Sequence, residues 1–283
     1  MSKEEESVYL SELDVHQLVN TYGHGDLTRS DILFFGIEEG LNGLGIQDAL
    51  KTRFDMRDKL GTDGTVCWYK NEEELADVNL RSDFLTYTAR LILSLKNQNE
   101  PWFDIGFGRE DVHTFLSKSM YREFEGLHTA LIDWKPLPKA NISHWPYANI
   151  VKRDYNRVMA LGKKVMRDIE SSCTDGYYPW VTARLNGMGH ILKEYHPRIL
   201  IGVGDATKKR HILSVVIVRT FGVVPVWKTM HTRSGKTFTT TTIKTGTKET
   251  NIVLAPFFSR RTNCLTMAGL EELSQLIVEM DVI

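Results

Sequence analysis

Cysteine is scarce in this chain: three in 283 residues, Cys67, Cys173 and Cys264, far apart and without a CxxC or Cys/His metal spacing. Buried or free thiols are expected in place of a disulfide frame or a zinc site, and no structural metal is expected. Long apolar runs are missing as well. None approaches the roughly 20 residues that a membrane helix needs, and the acidic, polar start from Met1 to Glu6 lacks the basic and apolar regions of a secretory signal. An intracellular protein, cytoplasmic or nuclear and off the membrane, is the expectation. Nucleotide-cofactor motifs are absent too. Gly202-Val203-Gly204 is not followed by a further glycine at dinucleotide-fold spacing, Ser234-Gly235-Lys236-Thr237 lacks the upstream glycine of a P-loop, and no Gly-x-Ser-x-Gly elbow occurs. No cofactor is expected.

Overall charge of one sign is also lacking, since the formal net charge is −1 and the pI is near 6.8. The balance hides an asymmetry. Residues 1–150 carry 15 Lys+Arg against 25 Asp+Glu, whereas residues 151–283 carry 20 against 11. The basic half holds four clusters, Lys152-Arg153, Lys163-Lys164, Lys208-Lys209-Arg210 and Arg260-Arg261. Converging on one face they would attract phosphates; otherwise they serve to attract the acidic half.

What is present is the composition of an ordinary globular domain, 42% hydrophobic and 25% charged. Apolar periodicity predicts a helix from Leu10 to Tyr22, a strand at Ile32–Phe35, a helix over Ser82–Leu95 and a buried strand at Thr129–Trp134 that Pro136 and Pro138 terminate. Helices follow over Tyr155–Ile169 and Trp180–Tyr195, then a strand through Ile199–Val203 and a helix over Ala206–Arg219. Strand composition returns at Val223–Lys228, Thr237–Lys244 and Asn251–Leu254, with turns at Ser234-Gly235 and Thr245-Gly246, before a final helix from Met267 to Met280. No repeat or interdomain linker appears. One α/β domain over 1–283 is expected, with 1–30 as an N-terminal helical extension and 41–80, polar and rich in glycine and charge, as an irregular excursion.

The most informative stretch is Ile32-Leu33-Phe34-Phe35 running into Gly36-Ile37-Glu38-Glu39-Gly40. Glycines flanking two carboxylates at a strand end give the backbone room to turn and a ligand room to approach, which is where open α/β sheets bind ligands. An ordinary surface turn with two solvated glutamates has the same local pattern. Asp133 is again polar at a strand end, and Ser259-Arg260-Arg261 follows the last strand.

Taken in order, these strand ends resemble the motifs of the uracil-DNA glycosylase superfamily, from about Asp31 to the C-terminus. Gly36-Ile37-Glu38-Glu39-Gly40 resembles the first motif in the Gly-Ile-Asn-Pro-Gly form of the mismatch-specific thymine/uracil branch. Leu131-Ile132-Asp133-Trp134-Lys135-Pro136-Leu137-Pro138 is similar to the middle strand. His196-Pro197-Arg198-Ile199-Leu200-Ile201-Gly202-Val203-Gly204 is similar to the strand that reads Pro-Lys-x-Ile-x-x-Leu-Gly, and Ala255-Pro256-Phe257-Phe258-Ser259-Arg260 resembles the last motif. The resemblance implies a three-layer α/β/α sandwich with a central, mostly parallel sheet. It further implies a monomer that binds DNA or another nucleic acid, flips a base and hydrolyses its N-glycosidic bond without metal or cofactor.

By the same resemblance, Glu38, with Glu39 as the second candidate, orients or deprotonates water and stabilises the cationic sugar. Asp133 stands where relatives carry a base-reading Asn, with Gly36 beside it. An ionised Asp only accepts hydrogen bonds, which suits an exocyclic amine better than the uracil O4 and points to a modified or amino-bearing base. With Glu38 and Asp133 both standing for amides, a pocket more acidic than a uracil site is expected. His144 and Trp145 either line that pocket or belong to the core. Ser259, Arg260, Arg261 and Lys135 are candidates for holding the nucleic-acid backbone, the arginine pair being equally readable as a surface patch. No histidine adjoins Ser259, although many relatives use one there to stabilise the leaving base. Two alternatives remain open: a non-catalytic nucleic-acid-binding or protein-interaction module, and an enzyme acting on free nucleosides or nucleotides.

Overall fold

The structure is a computed structural model and describes residues 7–40, 45–55, 82–139, 145–261 and 263–280, without the side chains of Glu39, Thr52 and Asp55. Its elements run α1 (Glu12–Asn20), β1 (Gly23–His24), β2 (Ile32–Gly40), α2 (Ile46–Asp55), α3 (Asp83–Lys96), α4 (Arg109–Lys118), β3 (Glu123–Phe124) and β4 (Leu127–Lys139). After these come α5 (Lys152–Met159), α6 (Lys163–Glu170), α7 (Tyr178–His190, continued by a π-helical turn to Tyr195), β5 (Ile199–Val203), α8 (Ala206–Phe221), β6 (Lys228–His231), β7 (Thr237–Thr245), β8 (Lys248–Ala255) and α9 (Met267–Glu279). The fold class is α/β. The sheet has the order β1-β4-β2-β5-β8-β7-β6, parallel across β4, β2, β5 and β8 and antiparallel at both edges.

Alternation along the parallel strands sends side chains to two cores. Leu33, Phe35, Ile132, Trp134 and Leu200 pack with α1, α2 and α5 to α8, while Ile32, Phe34, Leu131, Ile199 and Ile201 pack with α3, α4 and α9. A strand buried on both faces reads as a continuous apolar run, which is why Ile32–Phe35 carries no polar residue.

Most expected elements form close to their predicted ends, with six instructive differences. The strand expected to end at Phe35 and turn at Gly36 runs on through Glu38 to Gly40, because β4 continues to pair with it. β4 runs on through Pro136 and Pro138 to Lys139. It does so because β1 covers β4 only at Leu131 and Ile132, so the later prolines face an open edge, where Arg53 and the Tyr147 hydroxyl take their carbonyls. The predicted helix over 155–169 is two, broken at Leu161, whose φ is 55°. Val223–Lys228 is not a strand up to Lys228, and Val223, Val224 and Val226 stand exposed. The excursion over 41–80 contains α2, and α4 has no counterpart among the expected elements.

One side chain ties the layers together at the sheet's business end. Arg184 of α7 is fully buried; its Nε donates to the Trp134 carbonyl at 3.0 Å, its Nη1 to the carbonyls of Thr21 at 2.7 Å and Val19 at 3.2 Å, and its Nη2 to the Asp133 carbonyl. Its plane stacks 4.0 Å from the Tyr22 ring centroid, and the Tyr22 hydroxyl returns a bond to Ala183. Burial pushes the guanidinium down to about 10, so it remains charged at neutral pH. Arg184→Met is expected to cost roughly 3–5 kcal/mol in urea unfolding, since it strands four buried carbonyls, and Arg184→Lys to recover less than half of that. A loss under about 1 kcal/mol would show that the carbonyls find other donors.

Candidate functional site

β2 and β5 are neighbours whose onward connections lead to opposite sides of the sheet, from β2 through α2, α3 and α4 to β4 and from β5 through α8, β6 and β7 to β8. Such a switch point opens a crevice beyond the carboxyl ends of the strands. Past the last β2–β5 pair, Phe35 with Gly202, the sheet parts, while β2 and β4 continue together as a ribbon. Gly36 pairs with Asp133 and Glu38 with Lys135, so the alternation of the ribbon puts these four on one face. The first and second acidic positions of the sequence thus meet.

Gly36 leaves room for its neighbour: a Cβ on it would lie 2.0 Å from the Asp133 Oδ1, so a larger residue would displace that carboxylate. Asp133 is 5% exposed. Burial raises it to about 6, against the opposing pull of Arg53, Arg184 and Lys209 and with further push from Glu38. Glu38 is the contrary case. Burial raises its carboxyl, yet the Lys135 Nζ at 2.6 Å and the Lys139 Nζ at 2.8 Å outweigh that and hold it below the ordinary glutamate value. Lys135 also donates to the Asn156 Oδ1 at 2.7 Å and lies 5.9 Å from the Tyr155 ring centroid.

The expected surplus of negative charge is therefore corrected. Two carboxylates meet Lys135, Lys139, Arg53, Arg184 and Lys209, so the pocket is cationic. Lys209 was missed in the sequence, where it reads as the middle of a solvated basic run. It sits on the inner face of the first turn of α8, 1% exposed, its chain crossing Gly202 and its Nζ lying 3.4 Å from where a Gly204 Cβ would stand. Burial lowers it to about 8, with Asp133 and Asp205 pulling upward and Lys208 downward. An i, i+4 spacing from the Asp205 cap, which accepts from the Lys208 amide, is the sequence signal that could have found it.

The other candidates distribute as follows. Trp145 donates its indole N–H to the Ile150 carbonyl at 2.8 Å and packs on Tyr147 and Tyr155, as part of the core's rim. Lys135 points into the crevice at Glu38. Ser259 donates to the Asp83 Oδ2 at 3.1 Å, and the Arg260 Nε meets the Asp83 Oδ1 at 3.2 Å, so both are fastened to the start of α3; Arg261 is exposed. Glu39's side chain and all of His144 lie outside the described residues. Of the four basic clusters, Lys208-Lys209-Arg210 adjoins the crevice, and Lys152 lies one turn before Asn156, the partner of Lys135. Arg260-Arg261 follows β8 at the same end of the sheet, whereas Lys163 and Lys164 are exposed on α6.

Among the described residues no group of three or more His, Cys, Asp and Glu side chains is placed to hold a metal ion, and no helix is long and apolar enough to cross a membrane. Compared with known proteins, the chain matches no family model and no curated protein.

Asp133 gives the site a thermodynamic signature. Its folded value lies above the ordinary 3.8, so the stability it contributes is fully present below about pH 4 and is lost as pH rises through about 6. The difference is worth up to about 3 kcal/mol at 1.36 kcal/mol per unit. Asp133→Asn is expected to be more stable than the wild type at pH 8 and to lose that advantage by pH 4, as read from urea unfolding at each pH. Parallel pH curves for the two proteins would contradict a raised Asp133.

Proposed function

We propose that the chain is a divergent DNA-glycosylase-like protein on a three-layer α/β/α sandwich of the uracil-DNA-glycosylase kind. It takes a flipped base into the crevice between the ends of β2, β4 and β5 and hydrolyses its N-glycosidic bond. The observation that carries the reading is the meeting, at one topological switch point, of residues from separate motifs: Gly36 and Glu38, Asp133 and Lys135, and the Gly202–Gly204 strand end. The cationic surround supports an anionic substrate.

In this reading a base enters against Asp133, and Glu38 faces the sugar. The lysine pair keeps Glu38 ionised and makes it a weak base, so its part is to orient water and to oppose the positive charge that grows on the sugar as the bond breaks. Lys208, Lys152 and Arg261 stand outside as contacts for phosphate. The double clamp on Glu38 equally favours a second reading, a module that binds a base without cleaving it, because two ammonium groups cancel the field that a cationic sugar would need.

A glycosylase assay on oligonucleotides carrying single uracil, cytosine, substituted cytosine, adenine and guanine residues separates the two. Base release by the wild type, reduced about 10²–10³-fold in Glu38→Gln, is the expected result. Release by neither protein from any oligonucleotide, with binding retained, would establish the binding module.

A further inference from the structure

Between α1 and the start of α7 lies a cavity of about 490 Å³, to which no residue of the crevice contributes. The spacing of its residues explains its place. On α1, Glu12, Val15, His16 and Val19 stand at i, i+3, i+4 and i+7, which is one face of a helix. On the other side Tyr177, Trp180 and Ala183 recur every three residues, starting from the residue that caps α7. Ala183 is too short to fill the gap that the two rings leave.

The walls are fixed, so the cavity is not slack packing. Asn149 spends both ends of its side-chain amide on Leu10, accepting from its N–H at 3.1 Å and donating to its carbonyl at 2.7 Å. The Tyr177 hydroxyl accepts the Val151 N–H at 2.7 Å. Behind the lining, the Val19 carbonyl is held by Arg184 at 3.2 Å and the Ala183 carbonyl by the Tyr22 hydroxyl at 3.1 Å. Tyr177 and Trp180 meet edge-on, with ring centroids 4.9 Å apart at 65°, and each also meets the buried ring of Tyr155. A concavity held open in this way loses little ordering entropy when it is filled, and its volume falls within the roughly 300–1,000 Å³ of small-molecule sites.

The lining selects the kind of ligand. Most of it is apolar or aromatic, Glu12 is its one carboxylate, and it contains no Lys or Arg. Lys152 and Arg153, which follow Ile150 closely in the chain, are not part of it. The Asn20 amide N–H is already given to the His16 carbonyl at 2.8 Å, which leaves Asn20 its Oδ1 as an acceptor. An apolar body site therefore adjoins an acidic end.

We infer that this cavity is a second ligand site, for a small amphipathic amine whose aromatic or alkyl body packs on Tyr177 and Trp180 and whose protonated nitrogen meets Glu12. A neutral molecule of the same shape gains the apolar contact alone, and an anion is repelled by the carboxylate. The ammonium gains the carboxylate and, within about 6 Å, the negative ring faces. Because Glu12 is exposed, its charge is worth about fivefold in affinity at most. No residue of the crevice takes part, so the site stands whether or not the glycosidic reading holds.

Three probes of one skeleton, phenylbutylamine, phenylbutanol and phenylbutyrate, test the site when titrated into the full chain at pH 7.5 and followed by ligand-detected NMR. The amine is expected to bind with a Kd of about 1 mM or tighter, about three- to fivefold better than the alcohol, with the carboxylate weakest. Glu12→Gln is expected to bring the amine down to the affinity of the alcohol and to leave the alcohol unchanged. Ala183→Leu, which puts a larger apolar side chain into the cavity, is expected to abolish binding of the amine and the alcohol while Tm is held or raised. Should Ala183→Leu lower Tm, Val15→Phe fills the cavity from α1 in its place. Absence of binding by all three probes at about 10 mM would overturn the inference. So would an alcohol or carboxylate that binds as tightly as the amine, an amine preference that survives Glu12→Gln, or amine binding that survives both filling variants.

Discussion

Everything at the carboxyl end of the sheet hangs on the Arg184 guanidinium. A single planar group collects carbonyls from the end of α1, from the turn before β1 and from two successive residues of β4, and it does so without a carboxylate partner. Carbonyls leave the positive charge uncancelled, so Arg184 fixes the backbone of Asp133 and also lends its field to the crevice. Lysine has neither the fork nor the stacking face for this, and Tyr22, packed flat on the guanidinium, supplies the rest of its solvation. Position and electrostatics at Asp133 thus have one cause.

The two carboxylates show how environment separates chemically similar groups. Glu38 lies in register opposite Lys135 and takes a second lysine from the end of the same strand, so it is held ionised. Asp133, two residues back along β4 from Lys135, is pushed toward the neutral form by burial and by the charge of Glu38. Divergent carboxylates within one crevice are the usual mark of a division of labour, one group holding charge and the other poised to exchange a proton. The lysines that settle Glu38 come from β4 itself, and this is the reason β4 must continue through two prolines: without Pro136 to Lys139 in extended form, Lys139 would not reach its carboxylate.

Much of this was legible in the chain. Uninterrupted apolar runs ending in glycine gave the parallel strands, since a strand buried on both faces cannot alternate, and the polar residues just past those runs marked where a crevice would open. Charge was the illegible part. Glu38 and Asp133 read as an excess of acid because the lysines and arginines that surround them come from α2, α7, α8 and the far end of β4, at separations no local pattern encodes. Lys209 was hidden by its own neighbours: in Lys208-Lys209-Arg210 the run looks solvated, and only the turn of α8 decides that the middle residue faces inward. Trp145, read as pocket wall or core, spends its N–H on its own loop and packs at the rim of the core.

The order of these failures has a physical source. Backbone hydrogen bonding and apolar burial are short-range in sequence or periodic along it, so a linear pattern records them. Ion placement in a low-dielectric crevice is set by which elements converge, and the topology that makes them converge is carried by long connections. A switch point multiplies that effect, because it gathers strand ends and helix starts from opposite faces. Here it has gathered Glu38 from β2, Asp133, Lys135 and Lys139 from β4, and Lys209 from the first turn of α8.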